Sequence, residues 1–368
     1  MRVLSINSGS SSLKYALFDV EPANETCLAR GSVDRIGSAA GDQAAAVRAL
    51  LDEMERRDGP PPQAVGHRIV HGGSAYSAPA RVDRALLDSL RELTPFAPLH
   101  LPPEIEAVEA VARRWPDRPQ VACFDTAFHR TLSAVAQRYA LPERDDRAGL
   151  RRYGFHGLSY EYVVDEVGAA TLGRAVLAHL GNGASMAAVR DGRSVDTTMG
   201  FSPTGGLVMG TRLGDADPGL LVHWLQAGHD AKALDELVNR QSGLLGVSGT
   251  TSDVRDLLAR RALDPRAALA LDVFTWSARK WVGAMAAAVG GIDTLVFTGG
   301  IGEHADALRA EIARGLEHLG VRIDEARNAR SEAIVSPDGA PCTVRVVKTD
   351  EERMVARHTA RTHPIPGR

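Results

Sequence analysis

Cysteine is scarce in this 368-residue chain. The three that occur, Cys27, Cys123 and Cys342, lie far apart and make no CxxC pair or zinc-ligand spacing, which excludes a disulfide framework or a cysteine-built metal knuckle. Reduced thiols in a cytosolic protein are the expectation, with Cys123, inside the apolar "VACFD", a small core residue. Long hydrophobic runs are missing as well. No stretch reaches the ~18 apolar residues of a membrane span, and the weakly polar segment from Gly283 to Ile292 is short and Ala/Gly-rich. The N-terminal apolar run stops at Ile6 and polar residues follow, unlike a signal peptide. Nor is one sign of charge in excess. The formal net charge is -3, so no global basic field invites nucleic acid. Neither a nucleic acid nor a membrane is expected as a partner.

Four signatures are also absent: the GxxxxGK[ST] phosphate loop, the GxGxxG dinucleotide fingerprint, the HExxH zinc pair and the G-x-S-x-G nucleophile elbow. What is present is an ordinary soluble composition, 44% apolar and 24% charged. The chain is too long for one ordinary core, so two domains are expected.

The opening "VLSINSGSSSLKYALFD" reads as two strands, Val3–Ile6 and Leu13–Phe18, around a tip of small hydroxyl residues. Val47, Leu50, Leu51 and Met54 then recur at helical spacing, until "GPPPQ" breaks the helix. "AVGHRIVHGG" is a short strand ending in glycines. Leu86, Leu87, Leu90 and Leu93 mark a helix, "PFAPLHLPP" a rigid proline-bracketed loop, and Ile105, Val108, Val111 and Trp115 another helix. "QVACFD" is a buried strand ending at Asp125. The pattern then restarts. "AVLAHLGNGASMAAVRDG" again gives strand, small-residue tip and strand, with a further strand after "DG"; one fixed offset lays Gly183 on Gly9 and Ser185 on Ser11. We read this as an internal duplication. Helices follow at "DADPGLLVHWLQAG", with Asp217 as N-cap and Pro218 at the first helical position, over Arg266 to about Val289, and after "DTLVFTGGIGEHA". A last helix starts at Glu351, with Met354, Val355 and His358 on one side.

Several of these stretches have residues suited to anions. A Gly/Ser tip lets backbone N–H groups approach an anion, Lys14 adds charge, and a second tip at Gly181–Ser185 makes a two-sided phosphate clamp conceivable. "VFTGGIGE" is a strand running into a glycine turn that permits close backbone approach to a ligand. Arg68 in "GHRIVHGG" and Arg212 in "MGTRLGD" lie in apolar, glycine-flanked runs and need an anionic partner. That partner is either a structural carboxylate or a bound carboxylate or phosphate, and the residues alone do not choose. Asp125 and Glu351 sit at element ends, where carboxylates cap helices or hold Mg²⁺ through water; for Glu351 the helix-dipole role is the simpler reading. His67 and His71 are four apart but on a strand-like segment, which disfavours zinc. His156, between Phe155 and Gly157 in "YGFHG", suits a ligand contact.

Taken in order, "NSGSSSLKY", "GHRIVHGG", "FDTAFH", "RRYGFHG", "HLGNGAS", "DTTMGFSPTGGLVMGTRLGDADPG", "GVSGTTSD", "VFTGGIGE" and "TDEE" resemble the acetate/propionate/butyrate kinase family along nearly the whole chain. That family belongs to the acetate and sugar kinase, heat-shock ATPase and actin superfamily. The resemblance implies an α/β fold of two ribonuclease-H-like domains, mixed sheets flanked by helices with a cleft between them, usually as a homodimer. The implied domains are 1–129 with 354–368, and 130–353. It implies phosphoryl transfer between ATP and acetate with Mg²⁺ (Mn²⁺ as a substitute), in line and without a phosphoenzyme, giving ADP and acetyl phosphate. By position, Asn7, Ser10, Ser12 and Lys14 look like the first phosphate hairpin, and His179, Leu180, Gly181, Asn182 and Gly183 like the second. Arg68 and Arg212 look like the pair gripping acetate and the moving phosphoryl group. His156 looks like the transition-state donor, supported by His100 and His179. Asp125 and Glu351 look like magnesium-positioning carboxylates, with Asn7 beside Glu351. Val70, Leu99, Phe155 and Pro203 match the acyl pocket, and Asp253, Val254, Arg255, Gly299, Gly300, Ile301 and Gly302 the nucleoside site.

Some positions depart from the family pattern: Leu101 for Asn in "APLHNP", Leu158 and Tyr160 for Thr and His in "YGFHGTSH", Gly206 expected where "LEGL" has Glu, His304 for Asn in "GIGEN", and Asp350 for Asn in "TNEE". They bear on rate and acyl preference more than on reaction class. Propionate or butyrate as acceptor, pyrophosphate as donor, and a catalytically weak nucleotide-binding regulator are the competing expectations. Gly299 and Gly300 leave room for adenosine, which counts against pyrophosphate.

Overall fold

A computed structural model of the chain describes residues 1–9, 12–21, 24–34 and 43–363. It divides into two compact units: Met1–Arg130 with Gly157–Tyr162 and the chain from Asp350 onward, and Thr131–His156 with Val163–Thr349. In the first unit, strands β1 (Arg2–Ser8), β2 (Ser12–Glu21), β3 (Asn24–Asp34), β4 (Ala64–Ile69), β5 (Ala80–Arg81) and β6 (Gln120–Phe124) form one sheet in the order β3-β2-β1-β4-β6-β5. In the second, β7 (Arg174–Leu180), β8 (Ala184–Arg190), β9 (Arg193–Thr197), β10 (Thr294–Thr298) and β11 (Thr343–Val346) are ordered β11-β10-β7-β8-β9.

Both sheets obey one plan. An antiparallel meander (β1-β2-β3, β7-β8-β9) is followed by two strands parallel to the first: β4 and β6 in one unit, β10 and β11 in the other. This is the ribonuclease-H-like arrangement expected, present twice in an α/β fold. The duplication does not keep one offset through the tips, however. Ser8↔Leu13 is the last pair of the first hairpin and Leu180↔Ala184 that of the second, so the second connection is one residue shorter. Ser185 therefore lies on β8, opposite His179, and not at the tip.

Period-two alternation builds the first core. Leu4 and Ile6 of β1 and Leu13, Tyr15 and Leu17 of β2 face the helices Gln43–Arg56 and Leu101–Arg114, meeting Val47, Leu50, Leu51, Ala107 and Val111. Val3, Ala16 and Phe18 face the other way and cluster with Ala356 of the Glu351–Thr362 helix. That helix lies so close to β4 that a Cβ on Gly66 would stand 2.2 Å from Thr359 Oγ1 and 2.6 Å from Val355 Cγ1. Cys123 is fully buried, in a cluster with Leu158, Met354 and Val355; all three cysteines are free thiols. In the second unit the Pro265–Val289 helix covers the sheet with Leu271, Phe274, Ala278 and Val282. Among the described residues no helix is long and apolar enough to cross a membrane.

One local expectation is revised. The loop "PFAPLHLPP" ends early, because the helix Leu101–Arg114 begins inside it. Pro102 and Pro103 sit in its first turn, where an N–H would lack an intrahelical partner in any case, so proline starts this helix instead of barring it.

His67 occupies a buried site in β4, 2% exposed. Its Nε2 lies 2.7 Å from the Gln120 side-chain amide. With that amide turned so that its nitrogen donates to the ring, its oxygen accepts from Ala112 N at 3.3 Å, which suits a neutral imidazole. Burial pushes the ring down to about 4. The unfolded chain takes this proton near pH 6.5 and the folded one only near pH 4, so His67 drains stability as pH falls through that window. Urea midpoints recorded from pH 7 to pH 4.5 will fall more steeply for the natural chain than for His67→Gln; equal slopes would rule out this account.

Candidate active site

In the first unit, the ends of β1, β4 and β6 and the start of the last helix place four of the expected residues together. Arg68 grips Asp125 with a two-pronged fork, Nε to Oδ1 at 3.1 Å and Nη2 to Oδ2 at 2.5 Å. Its third nitrogen, Nη1, donates to Asn7 Oδ1 at 3.2 Å. Asn7 Nδ2 in turn donates to Glu351 Oε2 at 3.3 Å, and Glu351 lies 3.9 Å from Arg68 Nε. Burial works against the Arg68 charge, but Asp125 and Glu351 outweigh it and hold the guanidinium firmly ionised. The question left open for Arg68 is thus answered in part: a structural carboxylate does occupy its fork. Lys14 pairs in register with Asn7 across β1 and β2 and is exposed. Directly opposite residues share a sheet face, so Lys14 stands on the same face as Asn7. Ser10 lies outside the described residues, as does the Ser12 side chain. Val70 is buried just past β4, Leu99 is half-buried in a turn, and His100 is the residue before the Leu101–Arg114 helix.

Two carboxyl groups here escaped the motif reading. Glu352 Oε1 accepts from Asn7 Nδ2 at 3.4 Å, and burial, with Glu351 beside it, raises its pKa. Glu104 is 1% exposed and accepts from Val70 N at 3.0 Å. Burial lifts its carboxyl to about 8, Arg68 and the Val70 N–H pulling the other way. In sequence, each is an acidic residue in a helix first turn, the usual place for a solvated one.

In the second unit a compact set forms around the β7–β8 connection. His156 has a left-handed backbone, φ 58°, just before the Gly157–Val167 helix. Its ring stacks on His179 with centroids 4.2 Å apart, and its Nδ1 lies 2.8 Å from Ser185 Oγ. A Cβ built on Gly183 would stand 3.4 Å from Arg212 Nη1 and 3.5 Å from His156 Nε2, so both groups point at the bare side of this glycine. Arg212 Nη1 also donates to Pro203 O at 3.1 Å. Its loop is tied to the hairpin by Gly210 N donating to Asn182 O at 2.9 Å. β10 runs beside β7 with Thr298 opposite His179, which brings the following turn to the same place: a Cβ on Gly299 would be 2.8 Å from Leu180 O and 3.2 Å from His179 Nε2. Gly181 N closes the tip by donating to Gly183 O at 3.0 Å. Phe155 and Pro203 are buried, and Gly300, Ile301 and Gly302 continue the turn as a short helix. Asp253 caps the Val254–Arg260 helix and pairs with Arg255, Oδ2 to Nη2 at 2.6 Å; that side-chain bond leads the effects that lower Asp253 to about 2.

Among the described residues no cluster of three or more His, Cys, Asp or Glu side chains would cage a metal. Magnesium needs no such cage, because it keeps waters and takes one or two protein oxygens plus phosphate. The Glu351 carboxylate is a hard-oxygen donor of that kind and fits it; Asn7 beside it turns its nitrogen to Glu351 and its oxygen to Arg68, and would join only by turning its amide.

Most of the departures are accommodated locally. Leu158 packs in an apolar cluster, and Tyr160, fully buried, meets His129 edge-on at 5.8 Å. Leu101 is buried and His304 points to solvent, 79% exposed. Asp350 caps the last helix through Arg353 N at 3.0 Å and adds an ion pair to Arg30 at 2.6 Å. The placement of Gly206 is corrected. In "TGGL" the second residue, Gly205, stands where "LEGL" has Glu, and its Cβ would have room. Gly206 has φ 91° and a Cβ there would strike Thr198 O at 2.8 Å, so only glycine fits.

Comparison with known proteins identifies the family. The acetokinase family model matches residues 2–357. The chain is 44% identical to an acetate kinase of Heliobacterium modesticaldum, covering 98% of this chain and 99% of that one. Among solved structures it is similar to Porphyromonas gingivalis acetate kinase (36% identity, TM-score 0.88, 98% and 99% covered). It is equally similar to a propionate kinase from Francisella tularensis (34%, TM-score 0.92, 98% and 100% covered). With a family match over residues 2–357, 44% identity over 98% of the chain and a TM-score of 0.88 to a solved acetate kinase, the chain belongs to the acetokinase family.

Proposed function

We propose that this chain is a cytosolic acetate kinase, moving the terminal phosphoryl group of ATP reversibly onto an acetate oxygen to give acetyl phosphate and ADP. The observation that carries this reading is the convergence of His156 Nε2 and Arg212 Nη1 on the bare side of Gly183. Phosphoryl transfer needs positioning and charge neutralisation more than covalent chemistry. Acetate is already anionic at neutral pH, so no strong base is required. What must be overcome is repulsion between two anions. A fixed guanidinium and an imidazole donor aimed at one small space do this without reorganising during the reaction. Ser185 orients the His156 ring through Nδ1, and His179 supports its face. Direct in-line transfer follows, with no phosphoenzyme.

In the first unit, Asp125 holds Arg68 so that its charge faces the substrates in a fixed direction, and Val70 and Leu99 receive the acyl group; in the second, Phe155 and Pro203 are the acyl-binding residues. Asn7 and Glu351 would hold Mg²⁺, or Mn²⁺ in its place, which supplies charge neutralisation at the phosphates when bound. Ser10, Ser12, Lys14 and the Gly181–Gly183 tip serve the phosphates. Asp253, Val254, Arg255 and Gly299–Gly302 receive the nucleoside, and His100 supports the catalytic groups. Propionate as natural acceptor remains the second reading, favoured by the close likeness to the Francisella tularensis propionate kinase. A regulator without catalysis is disfavoured by the intact Arg68–Asp125 and His156–Arg212 arrangements.

We further propose a homodimer. The Pro218–Gln226 helix exposes Leu220, Leu221, Val222 and Leu225, and Trp276 is 61% exposed in the same unit. Apolar groups this dense on one surface helix are usually covered by a partner. Light scattering after gel filtration should give twice the chain mass, and Leu221→Glu with Leu225→Glu should give one chain mass; a monomeric natural protein would refute the dimer.

The direct assay supplies ATP, Mg²⁺ and hydroxylamine with acetate, propionate or butyrate and measures acyl hydroxamate. Acetate is expected to give the largest kcat/KM, with EDTA abolishing product; no hydroxamate from any acid would sink the kinase reading. Arg212→Ala and Arg68→Ala should each lower turnover by at least ~10²-fold. Arg68→Ala should also lower stability by ~3 kcal/mol or more, because it strands the buried Asp125 charge. Near-normal rates would refute their assigned roles.

A further inference from the structure

Beyond β4 the chain leaves the sheet at the place where the acyl pocket is proposed. Asp125 N donates to Ile69 O at 2.9 Å, bonding the end of β4 to the residue after β6. The amides that follow are held by side chains instead. Val70 N goes to Glu104 Oε2 at 3.0 Å, Gly72 N to Thr126 Oγ1 at 3.2 Å and Gly73 N to His71 Nδ1 at 2.8 Å. The path of this segment therefore depends on three acceptors drawn from three places.

Glu104 is the unusual one. An acidic residue in a helix first turn gains from the helix dipole while remaining in water. Glu104 is instead 1% exposed, so it forfeits hydration to reach inward. One oxygen takes the Val70 N–H; the other, Oε1, has no hydrogen-bond partner among the described residues. The charges acting on it are those of Arg68 and Asp125, so it lies near that pair. With burial lifting its carboxyl to about 8, it is mostly neutral near pH 7, and a neutral amide of the same shape would reproduce its hold on Val70. A buried carboxyl at this cost, spent on one backbone amide beside the fork of Arg68, is out of proportion to what helix capping requires.

We propose that Glu104 is a specificity-determining positioning residue, which fixes the Val70 wall of the acyl pocket by holding the Val70 backbone N–H and so sets the preference among short carboxylates. This rests on the kinase reading and on Val70 as the wall of that pocket. A pocket wall distinguishes one methylene by about 10–200-fold at best, and only while it stays in place. Losing the acceptor lets the wall yield and narrows the discrimination between acetate and propionate.

The test compares the natural protein, Glu104→Gln, Glu104→Ala and Glu104→Met as full chains, by kcat and KM for acetate and propionate and by melting temperature. Gln keeps the acceptor, whereas Ala and the similarly sized Met remove it. The propionate-to-acetate ratio of kcat/KM should stay within about 2-fold of natural in Gln. It should shift by at least about 3-fold in Ala and Met, mainly through KM. If Ala and Met melt lower with an unchanged ratio, Glu104 is merely structural and the proposal falls. It falls too if Gln shifts the ratio as far as Ala, or if neither Ala nor Met yields folded protein. An inactive natural protein would instead overturn the kinase reading, and this inference with it.

Discussion

The fork between Arg68 and Asp125 is the constraint around which the first unit is organised. Asp125 is 1% exposed, and a buried charge without a partner is intolerable. Pairing them obliges β4 and β6 to lie side by side with their C-terminal ends level, which the register Arg68↔Cys123 and Ile69↔Phe124 achieves. The remaining guanidinium nitrogen recruits Asn7 from β1, and Asn7 recruits Glu351 from the last helix. That helix must therefore return to the sheet with which the chain began, and the missing side chain of Gly66 lets it approach. Polar demands at the strand ends and apolar packing along the strands thus require the same arrangement.

The second unit repeats the sheet with different chemistry at its strand ends. Where the first has a carboxylate held by a guanidinium, the second has stacked imidazoles and a glycine whose bare side faces His156 and Arg212. The left-handed backbone of His156 is a conformation that costs energy for a side-chain-bearing residue and persists only where its surroundings enforce it. Here the stack on His179 and the contact with Ser185 provide that enforcement. Strain at this residue, with the proposed donor role, is consistent with a ring held ready and not recruited on demand.

Much of this was legible in the amino-acid order, because the signals are local. Short apolar runs marked β1, β2 and β6, helical spacing marked the Gln43–Arg56, Arg84–Glu92 and Leu101–Arg114 helices, and the small-residue tips marked both hairpins. The motif order identified the family and brought nearly every proposed site residue with it. The misreadings have physical causes. Pro102 and Pro103 read as loop, although proline in a first turn breaks no helical hydrogen bond. A single offset between the repeats failed because a hairpin tip can lose a residue while the strand pairing survives. β3 went unseen, its sequence "NETCLARGSVD" being too mixed to alternate cleanly.

By itself, then, the sequence determined the fold plan, the family and the inventory of chemical groups, since these rest on patterns within short windows. Only the tertiary structure decided how those groups are engaged. It put Lys14 on the face of Asn7 through strand register, gave the Arg68 fork to Asp125, and turned Glu104 inward to hold Val70. The first depends on the exact register of a hairpin, and the other two join residues 57 and 34 positions apart, through hydrogen bonds and burial that no local pattern encodes.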